Sequence, residues 1–318
     1  LFKDDEVNNA PDFYVIKKKN VIITNNGLPI LNDIKLLFDY LDLNSVTNFK
    51  YIKIIILLLK YYVNVVYYYL NIRKKEKTIE EAVFVNNRHS YGYFHWVCDT
   101  LPKLIFMKKN NTFNKKKIVI NSNFQKFHEE YCKVINPRSF VFQQKNSSLI
   151  IKDFYYLSKI HNSGNPRKIS LSLLRNFFIK KKNKLYKKIY ISRKFQKKRA
   201  FINEREFCKY LRKKKFEIHY FENYSIKKQI DLISKTKLLI GFSGAGLINC
   251  IWLPKNSSII DLRPKTDKYV NPFFSISNII KFKYNFFLCN KANYLESNHY
   301  ANFMIDIDKF DKKFNKIL

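Results

Sequence analysis

At 318 residues the chain has room for two domains of ordinary size, and 46% hydrophobic residues exclude global disorder. Sixty Lys and Arg against 25 Asp and Glu give a net charge of +35, which favours phosphate groups, anionic lipid or nucleic acid as partners. Five cysteines, Cys98, Cys132, Cys208, Cys250 and Cys289, are odd in number and widely spaced, so neither a disulfide framework nor a CxxC metal site is indicated and a reducing, cytoplasmic setting fits. Lys, Asn, Ile, Phe and Tyr are abundant while Gly, Pro and Ala are scarce, so part of the lysine excess follows from compositional drift.

In chain order, the first strong signal is the apolar run 51–72. Lys53, Lys60 and Asn64 interrupt it, and a mid-span Lys costs about 2.5–3.5 kcal/mol in a bilayer. Six tyrosines and the following Arg73, Lys74, Lys75 and Lys77 suit an interfacial or buried helix better than a membrane span, with peripheral membrane contact through 51–77. Strands are predicted at 83–86, 117–121 and 140–142, and helices at 94–108 and 124–135. Ser163-Gly-Asn-Pro166 punctuates the chain, and a lysine-rich helix over 170–184 links two halves, with domains assigned to 1–165 and 166–318.

The second half alternates regularly. A strand at 188–192 precedes a helix at 203–214, where Asn203 and Glu206 resemble a capping box and Phe207, Tyr210 and Leu211 form the inward stripe. A strand at 216–221 and a helix at 225–236 follow, with Ser225 as N-cap. Leu238 to Ile240 then form a buried strand, Gly241-Phe-Ser-Gly-Ala-Gly246 a tight turn, 245–253 a helix, and 258–262 a strand bearing Asp261. This alternation predicts an α/β protein with parallel βαβ units, in two sheets facing a cleft.

The glycine turn contains three of only six glycines in the chain. Bare amides at a helix N-terminus favour an anion, and phosphate is the natural guest. Arg193, after Ser192 at a strand end, and Arg199 add guanidinium forks that match phosphate oxygens. Asn249 and Asp261 add polar contacts. Upstream, His95 and Asp99 lie four apart on one helix face and can share a proton or flank a substrate hydroxyl; the same spacing also serves as a structural hydrogen bond. A nicotinamide enzyme is a rival reading, because Gly244-Ala-Gly246-Leu-Ile-Asn249 followed by Asp261 imitates the dinucleotide fingerprint, but its third glycine is missing. A basic nucleic-acid-binding protein is another, although basic residues are spread along the whole chain and no nucleic-acid motif is present.

Several motifs occur jointly and in order: Tyr93-Phe-His95-Trp-Val-Cys-Asp99-Thr-Leu-Pro102, Ser192-Arg193-Lys194, Arg199 with Asn203-Glu204, Ser225 with Gln229, and Gly241 to Asn249 followed by Pro254 and Asp261. Over about 82–264 this pattern resembles glycosyltransferase family 61, whose signature reads H-W-x-x-D-x-L-P, S-R-K, R-x-x-x-N-E, S-x-x-E-Q and G-x-H-G-A-G-L-x-N. The resemblance implies a GT-B-like pair of Rossmann-like domains facing a cleft. It further implies an inverting, metal-independent, cofactor-free transfer from a nucleotide sugar, a UDP-sugar being the expected donor, to a glycan acceptor in surface polysaccharide or glycan assembly.

By position, Arg193, Arg199, Asn203, Ser243, Gly244, Ala245, Gly246, Asn249 and Asp261 would serve the donor. Asp99 would be the first choice of catalytic base and His95 the second. No specific nucleic acid is expected; a catalytically degenerate sugar- or nucleotide-binding protein is the alternative. Three positions depart from the pattern: Ser243 stands for a His, Lys228 for a Glu and Asp261 for a Glu.

Overall fold

The computed structural model describes residues 14–43, 51–70, 76–110, 116–135, 140–161, 163–179, 184–196, 198–265, 271–293, 295–297 and 300–317. The chain divides into two compact units, Asn8–Leu174 and a second containing Arg175–Leu318, so the division falls inside the helix linking the two halves.

The first unit carries β1 (Val15–Ile23), α1 (Ile34–Leu41), α2 (Tyr51–Leu70), β2 (Glu76–Phe84), α3 (Tyr93–His95), α4 (Leu101–Asn110), β3 (Lys117–Ile120), α5 (Lys126–Ile135), β4 (Phe140–Phe142) and β5 (Ser148–Leu157). Their sheet has the order β1-β5-β2-β3-β4, parallel throughout except for β1, which runs antiparallel to β5. Two of these strands lie outside the sequence reading, β1 and β5. As an edge strand, β1 needs only one buried face, and its outward Lys17 and Lys19 both pair with Asp153 of β5; that polarity hides it from an apolar-run search.

The linking helix α6 (Lys168–Phe178) leads into the second unit, with β6 (Lys187–Ile191), α7 (Glu204–Lys213), β7 (Glu217–His219), α8 (Ile226–Ser234), β8 (Thr236–Phe242), β9 (Ser258–Pro264), α9 (Pro272–Ile280), β10 (Lys283–Lys291), β11 (Phe303–Met304) and α10 (Ile307–Phe314). The sheet order is β11-β10-β9-β8-β6-β7, all parallel except β11. Its central strands β8 and β9 are buried along nearly their whole length, which is why they read as continuous apolar runs. The tail after 264, which matches no motif, supplies β10, β11 and α10, and Phe287, Phe303, Phe310 and Phe314 belong to the same core as Tyr190 and Phe207.

Both sheets share one topological feature. In the first, the chain passes outward through β2, β3 and β4 and returns to place β5 on the other side of β2; in the second, β6 leads to β7, then β8 pairs on the opposite side of β6. Each reversal opens a gap at the carboxyl ends of two neighbouring parallel strands, where open α/β sheets bind ligands.

Two local expectations are corrected. Asn203 makes no side-chain cap on α7; its amide donates to the Ile305 carbonyl at 2.8 Å and accepts from the Ile305 amide at 3.1 Å. Residues Ala245–Trp252 form a 3-10 helix, not an α-helix. Such tight winding is uncommon over eight residues. Here Leu247 packs so closely on Gly241 that a Cβ there would sit 2.8 Å from Leu247 Cδ1.

Candidate active site

The structure gathers candidate side chains at the switch point of each sheet. In the first unit, the helix begun by α3 passes through a π-turn, Trp96–Thr100, before continuing as α4. Pro102 has no N–H to offer the Cys98 carbonyl four residues back. His161 fills that place, donating from Nε2 to the Cys98 oxygen at 2.9 Å. Lys103, one residue on, is buried and donates to the carbonyls of Val85 and Leu157, just beyond β2 and at the end of β5, at 3.1 and 3.0 Å. Burial lowers its ammonium to a pKa of about 8. The π-turn is thereby fastened to the carboxyl ends of the two strands that flank the switch point.

Asp99 sits on this turn with its side chain only 1% exposed. Its Oδ2 lies 2.9 Å from His95 Nδ1 and accepts from Ser163 Oγ at 2.6 Å, while Oδ1 accepts from the Gly164 amide at 3.2 Å. His161 Nδ1 stands 3.9 Å from Oδ1. Burial alone would raise this carboxyl, but the His95 hydrogen bond, the His161 and His95 charges and Ser163 outweigh it and hold Asp99 at about 2.

His95 is the exposed member, at 32%. A carboxylate only accepts, so Nδ1 is the donor, and in the neutral imidazole the lone pair is on Nε2. A Cβ on Gly164 would lie 3.7 Å from His95 Cε1, and one on Gly92 4.0 Å from Cδ2, so the two carbons beside Nε2 each face a glycine. His89 stacks on the ring at 4.9 Å between centroids, and burial, then His95 and Arg88, lower it to about 4, so His89 is neutral at neutral pH.

In the second unit, Arg193 follows β6 and the glycine turn follows β8, and these strands are paired with Ile191 opposite Gly241. Both guanidiniums converge on the turn: a Cβ at Gly244 would lie 3.5 Å from Arg193 Nη1 and 3.9 Å from Arg199 Nη1. Phe242 carries both, with the guanidinium carbons 5.6 and 5.0 Å from its ring centre. Arg199 donates to the Ser243 carbonyl at 2.5 Å, and Arg193 Nε to the Arg199 carbonyl at 2.8 Å. Burial, then repulsion from Arg199, lower Arg193 to about 10. Arg199 itself adopts a left-handed φ of 58°, a strained backbone for a residue with a side chain.

Glu204 sets this loop from behind. Buried at the start of α7, it accepts from Tyr190 Oη, Ser192 Oγ and the Arg193 amide at 2.7, 3.0 and 2.9 Å. Beside Gly246 a Cβ would meet nothing within 4 Å, so the turn is open there. Asn249 lies one 3-10 turn further on and donates to the Gly246 carbonyl at 3.0 Å, shaping the turn from a buried position.

Asp261 has no exposed surface. Its Oδ2 accepts from Tyr284 Oη at 2.7 Å and faces Arg263 Nη1 at 3.3 Å, and burial raises it to about 6 against the pull of Arg263, Tyr284 and Ser243. Asp261 thus lies inside the sheet, its carboxyl held by Tyr284 and Arg263. Asn203 likewise has both ends of its amide on Ile305. Among the described residues no group of three or more His, Cys, Asp or Glu side chains is disposed to hold a metal ion.

The family model for glycosyltransferase 61 matches residues 93–260, more than half of the chain. The chain belongs to glycosyltransferase family 61. No curated protein matches it. The matched span runs from the first residue of α3 into β9 and so includes His95 and Asp99 as well as Arg193, Arg199 and the glycine turn, while His89 and Asp261 lie just outside it. It shows a glycosyltransferase.

Within this family member, the structure adds residues with no site role in the sequence reading: His89, His161, Ser163 and Gly164 around Asp99, and Phe242 beside the two arginines, while Glu204, seen in sequence only as part of a motif, is placed behind the Arg193 loop. A usable signal existed for the first group. Of only six histidines in the chain, three are His89, His95 and His161.

Proposed function

We propose that this family 61 glycosyltransferase moves a sugar from a nucleoside diphosphate donor, a UDP-sugar being the expected one, to a saccharide hydroxyl, inverting the anomeric carbon without a divalent ion. The observation that carries this is the convergence of Arg193 and Arg199 on the glycine turn at Gly244, which is open beside Gly246. Departure of a nucleoside diphosphate builds negative charge on its phosphates. Two guanidiniums aimed at bare backbone can neutralise that charge, each charge-assisted hydrogen bond contributing about 1.5–3 kcal/mol. On this reading the second unit serves the donor, with Ser243, Gly244, Ala245 and Gly246 lining the phosphates, Asn249 and Asp261 supporting the turn from within, and Asn203 tying the start of α7 to Ile305.

The first unit serves the acceptor. A single-displacement transfer needs one base and no enzyme nucleophile, which gives inversion. The roles within the pair follow from their surroundings: a carboxylate held at about 2 and sealed from solvent is a poor base, whereas His95 presents Nε2 between two glycines. His95 therefore takes the acceptor proton, and Asp99 fixes the imidazole tautomer and stabilises the imidazolium. Assembly of a surface polysaccharide or glycan is the setting we assign to it.

Thermal-shift screening against a panel of nucleotide sugars, each with chelator, tests the donor claim. A Tm rise with at least one nucleotide sugar, retained in chelator, is expected. Stabilisation only on adding a divalent ion would overturn metal independence, and stabilisation by none of the panel would overturn the donor class. NMR of the product anomer tests inversion.

A further inference from the structure

Helix α2 is apolar on two opposite faces. Ile54, Leu57, Leu58, Tyr61 and Val65 turn inward onto the core of the first unit. Tyr61 is anchored there, its hydroxyl accepting from the Leu31 amide at 2.7 Å. A second row, Ile52, Ile56, Leu59, Val63, Val66 and Leu70, repeats at the same three- and four-residue spacing but faces solvent, with Leu59 59%, Val63 65% and Leu70 79% exposed. Single exposed hydrophobic residues need no account; a continuous row along a helix about 30 Å long does.

We infer that this outer row docks the protein on an anionic bilayer surface, with α2 lying in the plane of the headgroups. Among the described residues no helix is long and apolar enough to cross a membrane. Lys60 and Asn64 are exposed along one edge of the row, and the helix carries no acidic residue. Tyr62, Tyr67 and Tyr69 flank the row with half-exposed rings, whose apolar bodies and polar tips suit the headgroup boundary.

Charge selects the occupant. A second copy of the chain would bring another +35 against the first, whereas anionic lipid attracts both the helix edge and the cationic run Arg73-Lys74-Lys75 and Lys77 that follows it in sequence. Apolar burial and surface charge then act together, the combination that gives stable interfacial binding.

The test is co-sedimentation of the full chain with vesicles of phosphatidylcholine alone or with about 30% phosphatidylserine, at low salt and at about 0.5 M salt. Binding to the anionic vesicles is expected to exceed that to neutral ones by roughly tenfold and to fall at high salt. Leu59→Glu with Val63→Glu should abolish it with an unchanged circular-dichroism spectrum and melting temperature. Lys60→Glu, which leaves the apolar row intact, should weaken it. No binding by the wild type, equal salt-insensitive binding to both vesicles, or wild-type binding by the folded double variant overturns the inference. So does a dimer by light scattering that the double variant dissociates, which would assign the face to self-association.

Discussion

His161 donates from Nε2 to the Cys98 carbonyl at 2.9 Å, the acceptor that an amide at position 102 would serve in a regular helix if that residue were not proline. Proline thus sets up the site indirectly. By leaving a carbonyl open it recruits a histidine from the loop after β5, and the same imidazole then stands 3.9 Å from Asp99. Pro102→Ala restores the missing donor. The variant is expected to melt at or above the wild-type temperature while kcat falls roughly tenfold, because His161 loses its fixed partner and Asp99 its setting. Calorimetry beside steady-state kinetics checks this; unchanged kcat would remove Pro102 from the design of the site.

The order of roles within the His95–Asp99 pair has a kinetic signature. His95→Ala should lower kcat by about 10²–10⁴ with donor affinity unchanged, the usual contribution of a general base. Asp99→Asn should lower it by a smaller factor, because the imidazole loses the carboxylate that fixes Nδ1 as its donor. A larger loss in Asp99→Asn than in His95→Ala, or full activity in His95→Ala, would restore the carboxylate as base.

At the glycine turn, Gly244 has an extended φ of 168°, which any residue adopts, so Gly244→Ala should leave the melting temperature nearly unchanged. The new methyl would stand at ordinary contact distance from both guanidiniums, at the place assigned to the phosphates. Donor affinity is expected to fall tenfold or more, as it should for Arg193→Ala and Arg199→Ala, each losing about 1.5–3 kcal/mol by titration calorimetry. Gly241→Ala is the contrasting case: its Cβ would meet Leu247 Cδ1 at 2.8 Å, so stability should fall. Retained donor binding in Gly244→Ala would place the phosphates elsewhere.

Two buried carboxyls titrate in opposite senses. Asp99 is lowered from 3.8 to about 2 in the folded protein, so its contribution to stability is complete above about pH 4 and lost as pH falls towards 2. Asp261 is raised from 3.8 to about 6, so its contribution is complete below about pH 4 and lost as pH rises through 6. Each effect is on the order of 2–3 kcal/mol. Unfolding free energy measured against pH should therefore lose part of its acid slope in Asp99→Asn, and in Asp261→Asn should rise relative to wild type between pH 4 and 6. Parallel curves for wild type and both variants would refute the assignment.

Much of the second unit was legible because its central strands are buried on both faces and its helices carry inward stripes at Phe207 and Leu211, and at Ile230 and Ile233. The winding of Ala245–Trp252 was not, because its mostly apolar residues fit an α-helix and a 3-10 helix alike. The edge strand β1 was hidden by lysines that face a partner strand more than a hundred residues away. In the first site His95 and Asp99 were visible as an i,i+4 pair, while His161 and Ser163 follow a strand, β5, whose pairing beside β2 depends on long-range contacts.

The sequence alone determined the family, through motifs in fixed order from His95 to Asp261, and marked the 241–246 turn, which holds three of only six glycines in the chain. At Gly241 an absent side chain leaves a record in sequence, because a Cβ there would sit 2.8 Å from Leu247 Cδ1. The tertiary structure decided which groups meet: that Arg193 and Arg199 share the face of Phe242, that Asp99 is sealed while His95 is partly open, that Asp261 lies inside the sheet, and that Asn203 is tied to Ile305. Those outcomes depend on strand order at each switch point and on burial, which arise from contacts between residues far apart in the chain and so have no local spacing to betray them.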